Sequence, residues 1–124
     1  MTNIQAPIIK HRFDLEDRTL EFAKKVVDLV KELPKNIANL ELSSQIIRSA
    51  SSVGANYREA NDSLGKKDFA MRLRISRKEA KETYYWLQLI SHSNPTLKEI
   101  IDLLLDECSQ LTKILSSIIN KTSV

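Results

Sequence analysis

Four times along this chain, apolar and small residues recur at alternating steps of four and three, the spacing that lines one face of an α-helix. Leu15, Thr19, Phe22, Val26, Leu29 and Leu33 form the first stripe. Leu42, Ile46, Ser49, Val53 and Ala60 form the second, in which small residues are prominent. The third runs through Phe69, Leu73, Ser76, Ala80, Thr83, Leu87 and Ile90, and the fourth through Leu97, Ile101, Leu104, Cys108, Leu111, Leu115 and Ile118. The breaks fall where turn chemistry is concentrated: Pro34, then Asn61, Asp62, Ser63 and Gly65, then Asn94 and Pro95. With only two Gly and three Pro in 124 residues, little else interrupts the helical pattern. Helices are therefore expected over about 14–33, 40–63, 67–91 and 96–120. Connections this short join antiparallel neighbours, so the expected fold is all-α: an up-down-up-down, left-handed four-helix bundle over 14–121, preceded by a tail at 1–13. Asp14, followed by Asp17, is expected to cap the first helix.

A single domain of this length buries a sufficient core without disulfides or structural metal. Cys108 is the only cysteine and lies on the fourth stripe, which predicts a buried, unreactive thiol in a reducing compartment. The first ten residues lack the charged start and apolar run of a secretory signal, and no apolar run spans a bilayer. A cytoplasmic protein without membrane contact is expected.

Sites of chemistry are sought and not found. His11 and His92 fall in the tail and in a turn, no Glu-x-x-His pair is present, and two isolated glycines cannot build a phosphate-cradling loop. Ser51 and Ser52 have no histidine placed to activate them. No catalytic residue, metal ligand or cofactor is assigned, and the expectation is that the chain is not an enzyme.

Two groups of residues remain. In the stretch Gln45 to Ala60, Arg48, Ser52, Asn56 and Glu59 share one helical face, beside the small-residue stripe. We read them, with Glu82, as a structural polar network that sets register, Arg48 pairing with a carboxylate of another helix such as Glu82. Gly54 inside this helix costs about 1 kcal/mol relative to Ala, which is tolerable where a neighbouring helix must approach closely. The second group is charge. Between Lys66 and Lys81 there are seven cations and two carboxylates, 7 − 2 = +5, so with a net charge of +3 the remaining chain carries −2. Lys66, Lys67, Arg74, Arg77, Lys78 and Lys81 are the candidate nucleic-acid contacts, Lys67, Arg74, Lys78 and Lys81 falling on one side of the helix.

Apolar residues beyond the stripes, with aromatics among them, suggest self-association, and Ile75, Tyr85, Trp86 and Leu89 are the candidate oligomer interface. The runs Gln45-Ile46-Ile47-Arg48-Ser49-Ala50 and Ser52-Val53-Gly54-Ala55-Asn56, with Glu59, and the third-helix residues Phe69, Leu73-Arg74-Ile75, Glu82 and Tyr85-Trp86-Leu87 carry a family resemblance. They resemble the bacterial four-helix-bundle proteins encoded in intervening sequences of large-subunit ribosomal RNA genes. That family is related to the accessory variability determinant of diversity-generating retroelements. The likeness runs from about Phe13 to Leu111. Where many members have Glu-Gly this chain has Glu59-Ala60, so its second helix is expected to continue further. The resemblance implies a left-handed bundle assembled as a ring-like homopentamer and no enzymatic activity.

Two functions follow. One is an oligomer binding RNA or DNA through the basic third helix, though nothing in the sequence supplies stacking aromatics along a groove. The other is a scaffold or accessory subunit that docks a partner protein, such as a reverse transcriptase, through Trp86 and its apolar neighbours.

Overall fold

The computed structural model describes residues 7–122, with side chains from Leu15 onward. It consists of four helices, α1 (Pro7–Glu32), α2 (Ile37–Asn61), α3 (Lys66–Ser93) and α4 (Lys98–Lys121), with a single 3-10 turn at Pro95–Leu97 before the last. Helix α1 starts seven residues before the expected cap at Asp14. Pro7 stands at its first position, where a fixed φ and a missing N–H do no harm. The expected tail is therefore helical over 7–13, and its residues 1–6 lie outside the described part.

The second helix also begins early, at Ile37 rather than Leu40, because Asn36 caps it: its Oδ1 accepts from the Asn39 backbone N–H at 2.8 Å. It passes Ala60 but ends at Asn61, two residues short of the expected 63, where Ser63 Oγ donates to the Ala60 carbonyl at 2.6 Å.

Cross-helix contacts fix the topology. Early α1 meets late α2, where Asn61 Nδ2 donates to Glu16 Oε2 at 2.7 Å. Ser76 Oγ of α3 donates to the Val53 carbonyl of α2 at 2.6 Å, while Thr83 Oγ1 lies 2.8 Å from Ser49 Oγ. Cys108 Sγ of α4 donates to the Ala80 carbonyl of α3 at 3.1 Å, and Arg18 of α1 binds Glu107 of α4. Contacts that climb α3 descend α2, from Ser76–Val53 to Thr83–Ser49, and descend α4, from Arg77–Ser116 to Ala80–Cys108, so consecutive helices are antiparallel. Among the described residues the backbones of the diagonal pairs, α1 with α3 and α2 with α4, do not come within 8 Å, Cα to Cα. This is the up-down-up-down bundle that the four stripes predict.

The stripes supply the core. Phe22, Val26, Ile46, Val53, Leu73, Leu87, Ile90, Ile101, Leu111 and Leu115 are sealed from solvent. At the end of α4 Ile119 is buried and Ile118 half-buried, the reverse of the expected order. Gly54 sits where α2 lies close against α1: a β-carbon there would stand 2.9 Å from Thr19 Oγ1 and 3.2 Å from Thr19 Cβ. The Thr19 hydroxyl is itself seated 2.9 and 3.0 Å from the carbonyls of Leu15 and Glu16, so it cannot swing aside freely.

Cys108 is fully buried, and burial, with the nearby Glu107 charge as a lesser cause, pushes its thiol up to about 12. An unfolded thiol ionises near about 8.5. The stability linked to this group is therefore complete below that pH and is lost as pH rises through the folded value, by up to about 1.4 kcal/mol per pH unit. The stability difference between the wild type and Cys108→Ala should shrink steadily from pH 8.5 to 11, read by urea unfolding. A difference that stays constant over that range would contradict the burial argument. No helix among the described residues is long and apolar enough to cross a membrane.

Candidate nucleic-acid interface

Helix α3 turns its core stripe toward α2 and α4, which leaves its opposite face to carry charge. Arg74, Lys78 and Lys81 are exposed there and Arg77 is half-buried, reaching α4 with Nη1 donating to Ser116 Oγ at 3.2 Å. These four cations line one cleft of about 430 Å³ together with Glu82, Tyr85 and Trp86. Glu82 is the single carboxylate in this lining, and Lys78 Nζ lies 3.4 Å from it, one helical turn away. On so exposed a pair the ion bridge contributes little to stability, and it leaves Arg74, Arg77 and Lys81 to set the potential of the cleft.

The aromatic wall was not foreseen from sequence. Tyr85 is 56% exposed and meets Trp86 edge to face, with ring centroids 5.3 Å apart and planes inclined at 68°. Trp86 is half-buried and packs against the bundle core, so it is anchored within the single chain. Its indole N–H is buried with no acceptor among the described residues. Two candidate groups that the sequence kept apart, the nucleic-acid contacts and part of the oligomer interface, thus occupy one surface. The spacing held the signal: Arg74, Lys78, Lys81 and Tyr85 follow one another at four, three and four.

Residues 12–117 match a family model described as 23S rRNA-intervening sequence protein. The chain belongs to that family. It is also similar to a crystal structure of a protein with unknown function from the S23 ribosomal protein family of Bacteroides thetaiotaomicron VPI-5482. The two share 37% identity over 85% of this chain and 97% of the other, with a TM-score of 0.76. No curated protein matches.

The remaining candidate residues are distributed differently. Lys66 and Lys67 are exposed in the first turn of α3, roughly 10 Å along the helix from Arg74, and do not line the cleft. Ile75 and Leu89 are half-buried outside it.

The polar row of α2 is not the interior network expected. Arg48 and Glu59 are exposed, and Ser52, Asn56 and Glu82 are half-buried. Ser52 Oγ and Asn56 Nδ2 bond back to carbonyls of their own helix, at 2.8 and 3.0 Å, and Asn56 Oδ1 accepts from Arg72 at 3.3 Å. The ion-pair partner of Glu82 is Lys78, and the Arg48 charge bears instead on Glu79. Burial first, and then the Glu82 charge, raise the Glu79 carboxyl above its ordinary range, against the pull of Lys78 and Arg48. One step round α2, Ser49 does face the interior, where it meets Thr83. Among the described residues no group of three His, Cys, Asp or Glu could hold a metal ion.

Proposed function

We propose that this protein is a non-enzymatic binder of nucleic acid that engages its ligand through the α3 cleft. The observation that carries the reading is the convergence of Arg74, Arg77, Lys78 and Lys81 with Tyr85 and Trp86 around one hollow containing one carboxylate. Cations neutralise backbone phosphates without reading sequence, and an exposed aromatic beside them offers a base a face on which to stack. Neither element alone favours a single strand; the combination does, because only an unstacked base has a face free to lie on Tyr85. The family description names 23S rRNA, which makes RNA the first ligand to try.

The same reading takes the chain as one subunit of a ring-like homopentamer, in which repetition of the cleft would concentrate positive potential. Subunit contact through Tyr85 and Trp86 would close the cleft, so the proposal reserves these two residues for RNA.

A labelled single-stranded RNA should bind with a slope of log affinity against log salt of about −2 to −3, corresponding to three or four neutralised phosphates. Arg74→Glu combined with Lys78→Glu should weaken binding at least about tenfold at low salt while leaving the melting curve in place. Absence of binding at about 50 mM salt, or binding indifferent to salt, would overturn the reading. Loss of assembly in Tyr85→Ala with RNA affinity intact, measured by light scattering, would assign the cleft to subunit contact instead.

A further inference from the structure

The surface between α1 and α4 carries a second concavity, of opposite charge. Two hollows of about 530 and 470 Å³ share Lys25, Leu103 and Glu107 and so form one groove. It follows α1 from Asp17 to Glu32, roughly 22 Å of helix, which is room for about 15 residues of another helix laid alongside. Its floor is apolar. Leu29 and Leu104 belong to the core, but Ile100 is 49% exposed and Leu103 is 73% exposed, with no cover among the described residues. Its rim carries Asp17, Glu21, Asp28, Glu32, Asp106 and Glu107 against two cations, Arg18 and Lys25. Arg18 is held to Glu107 by two bonds of 2.7 and 2.9 Å and to Gln110 by a third.

We infer that this groove docks a basic amphipathic helix of another protein. An exposed apolar floor between carboxylate rims matches a helix with aliphatic side chains on one face and lysine or arginine on its flanks. The acidic rim repels nucleic acid and anionic lipid. A second copy of this chain is the poorer occupant, because its densest run of cations lies on α3, on the surface assigned to RNA. The site is separate from that cleft and does not depend on RNA binding there.

The test uses the full chain and a labelled peptide of about 15 residues, built from Leu and Lys at helical amphipathic spacing, read by fluorescence anisotropy. Saturable binding is expected, weakened at least about tenfold by Leu103→Lys and likewise by Glu21→Lys combined with Glu32→Lys. A peptide with Glu in place of Lys should not bind. All three substituted positions are exposed, so circular dichroism should show an unchanged fold. Binding that ignores the Leu103 and glutamate substitutions would overturn the inference, as would no saturation below about 100 μM peptide. A fall in particle mass with Leu103→Lys would overturn it in favour of a second copy.

Discussion

Gly54→Val is expected to destabilise the protein by on the order of 3 kcal/mol and to lower the melting temperature by about 10 °C. The reasoning is steric. The first added carbon alone would stand 2.9 Å from Thr19 Oγ1 and 3.2 Å from Thr19 Cβ, closer than non-bonded carbon and oxygen tolerate. Thr19 is fully buried, and its hydroxyl is seated against two carbonyls of its own helix. Relief therefore requires α1 and α2 to separate, which loosens the packing of their neighbours Phe22 and Val53. Against this stands the improved helix propensity of any residue over glycine, less than about 1 kcal/mol, so overpacking decides the sign. Thr19→Ala removes the nearer atom and should recover part of the loss, making the two substitutions non-additive. Thermal unfolding of the two single variants and the double variant measures this directly. A Gly54→Val protein that melts with the wild type would show that the two helices are not in close contact there.

Asn94→Ala is expected to cost about 2–4 kcal/mol, a large effect for one polar residue at the end of a helix. Asn39 and Asn94 are buried and face each other with reciprocal amide bonds: Asn39 Nδ2 donates to Asn94 Oδ1 at 2.9 Å, and Asn94 Nδ2 to Asn39 Oδ1 at 2.8 Å. Each uses its remaining donor on a chain end, Asn39 on the Pro34 carbonyl and Asn94 on that of Ile90. The pair thereby staples the α1–α2 connection to the end of α3. Removing one member leaves the other's amide buried without its partner, the expensive case for a hydrogen bond. Asn39→Ala combined with Asn94→Ala should cost less than the sum of the single changes, with a coupling of about 1–3 kcal/mol. Simple additivity in urea unfolding would mean that the amides do not act as a pair.

That staple also shows where sequence reading stops. The stripes were legible because burial follows helical period, and nearly every residue on them is interior. Asn39 lies between the first two stripes, where a polar residue five places after a proline looks like turn material. Its burial depends on Asn94, 55 positions away, and no local pattern announces that partnership. The early start of α2 was within reach, because Asn36 followed three residues later by Asn39 has the spacing of a capping interaction. The α2 polar row failed for a geometric reason. Arg48, Ser52, Asn56 and Glu59 do share a face, but a shared face does not say whether it points inward. The answer came from the adjacent small residues, which the close approach of α1 and α3 requires to be inside. In the cleft, the charges were visible as composition, whereas the alignment of Tyr85 with them is a property of helix phase.

The seams between the helices are unequal. Small residues let α2 and α3 lie tightly together over their length, whereas α1 and α4 face each other across the acidic groove. Thermal motion will be graded accordingly, because a seam with fewer buried contacts opens at lower free energy. The α2–α3 hairpin is therefore expected to be the stiffer part of the molecule and the α1–α4 seam the first to open. Such opening would change the width of the groove without disturbing the α3 cleft, so the two surfaces should differ in mobility as well as in charge.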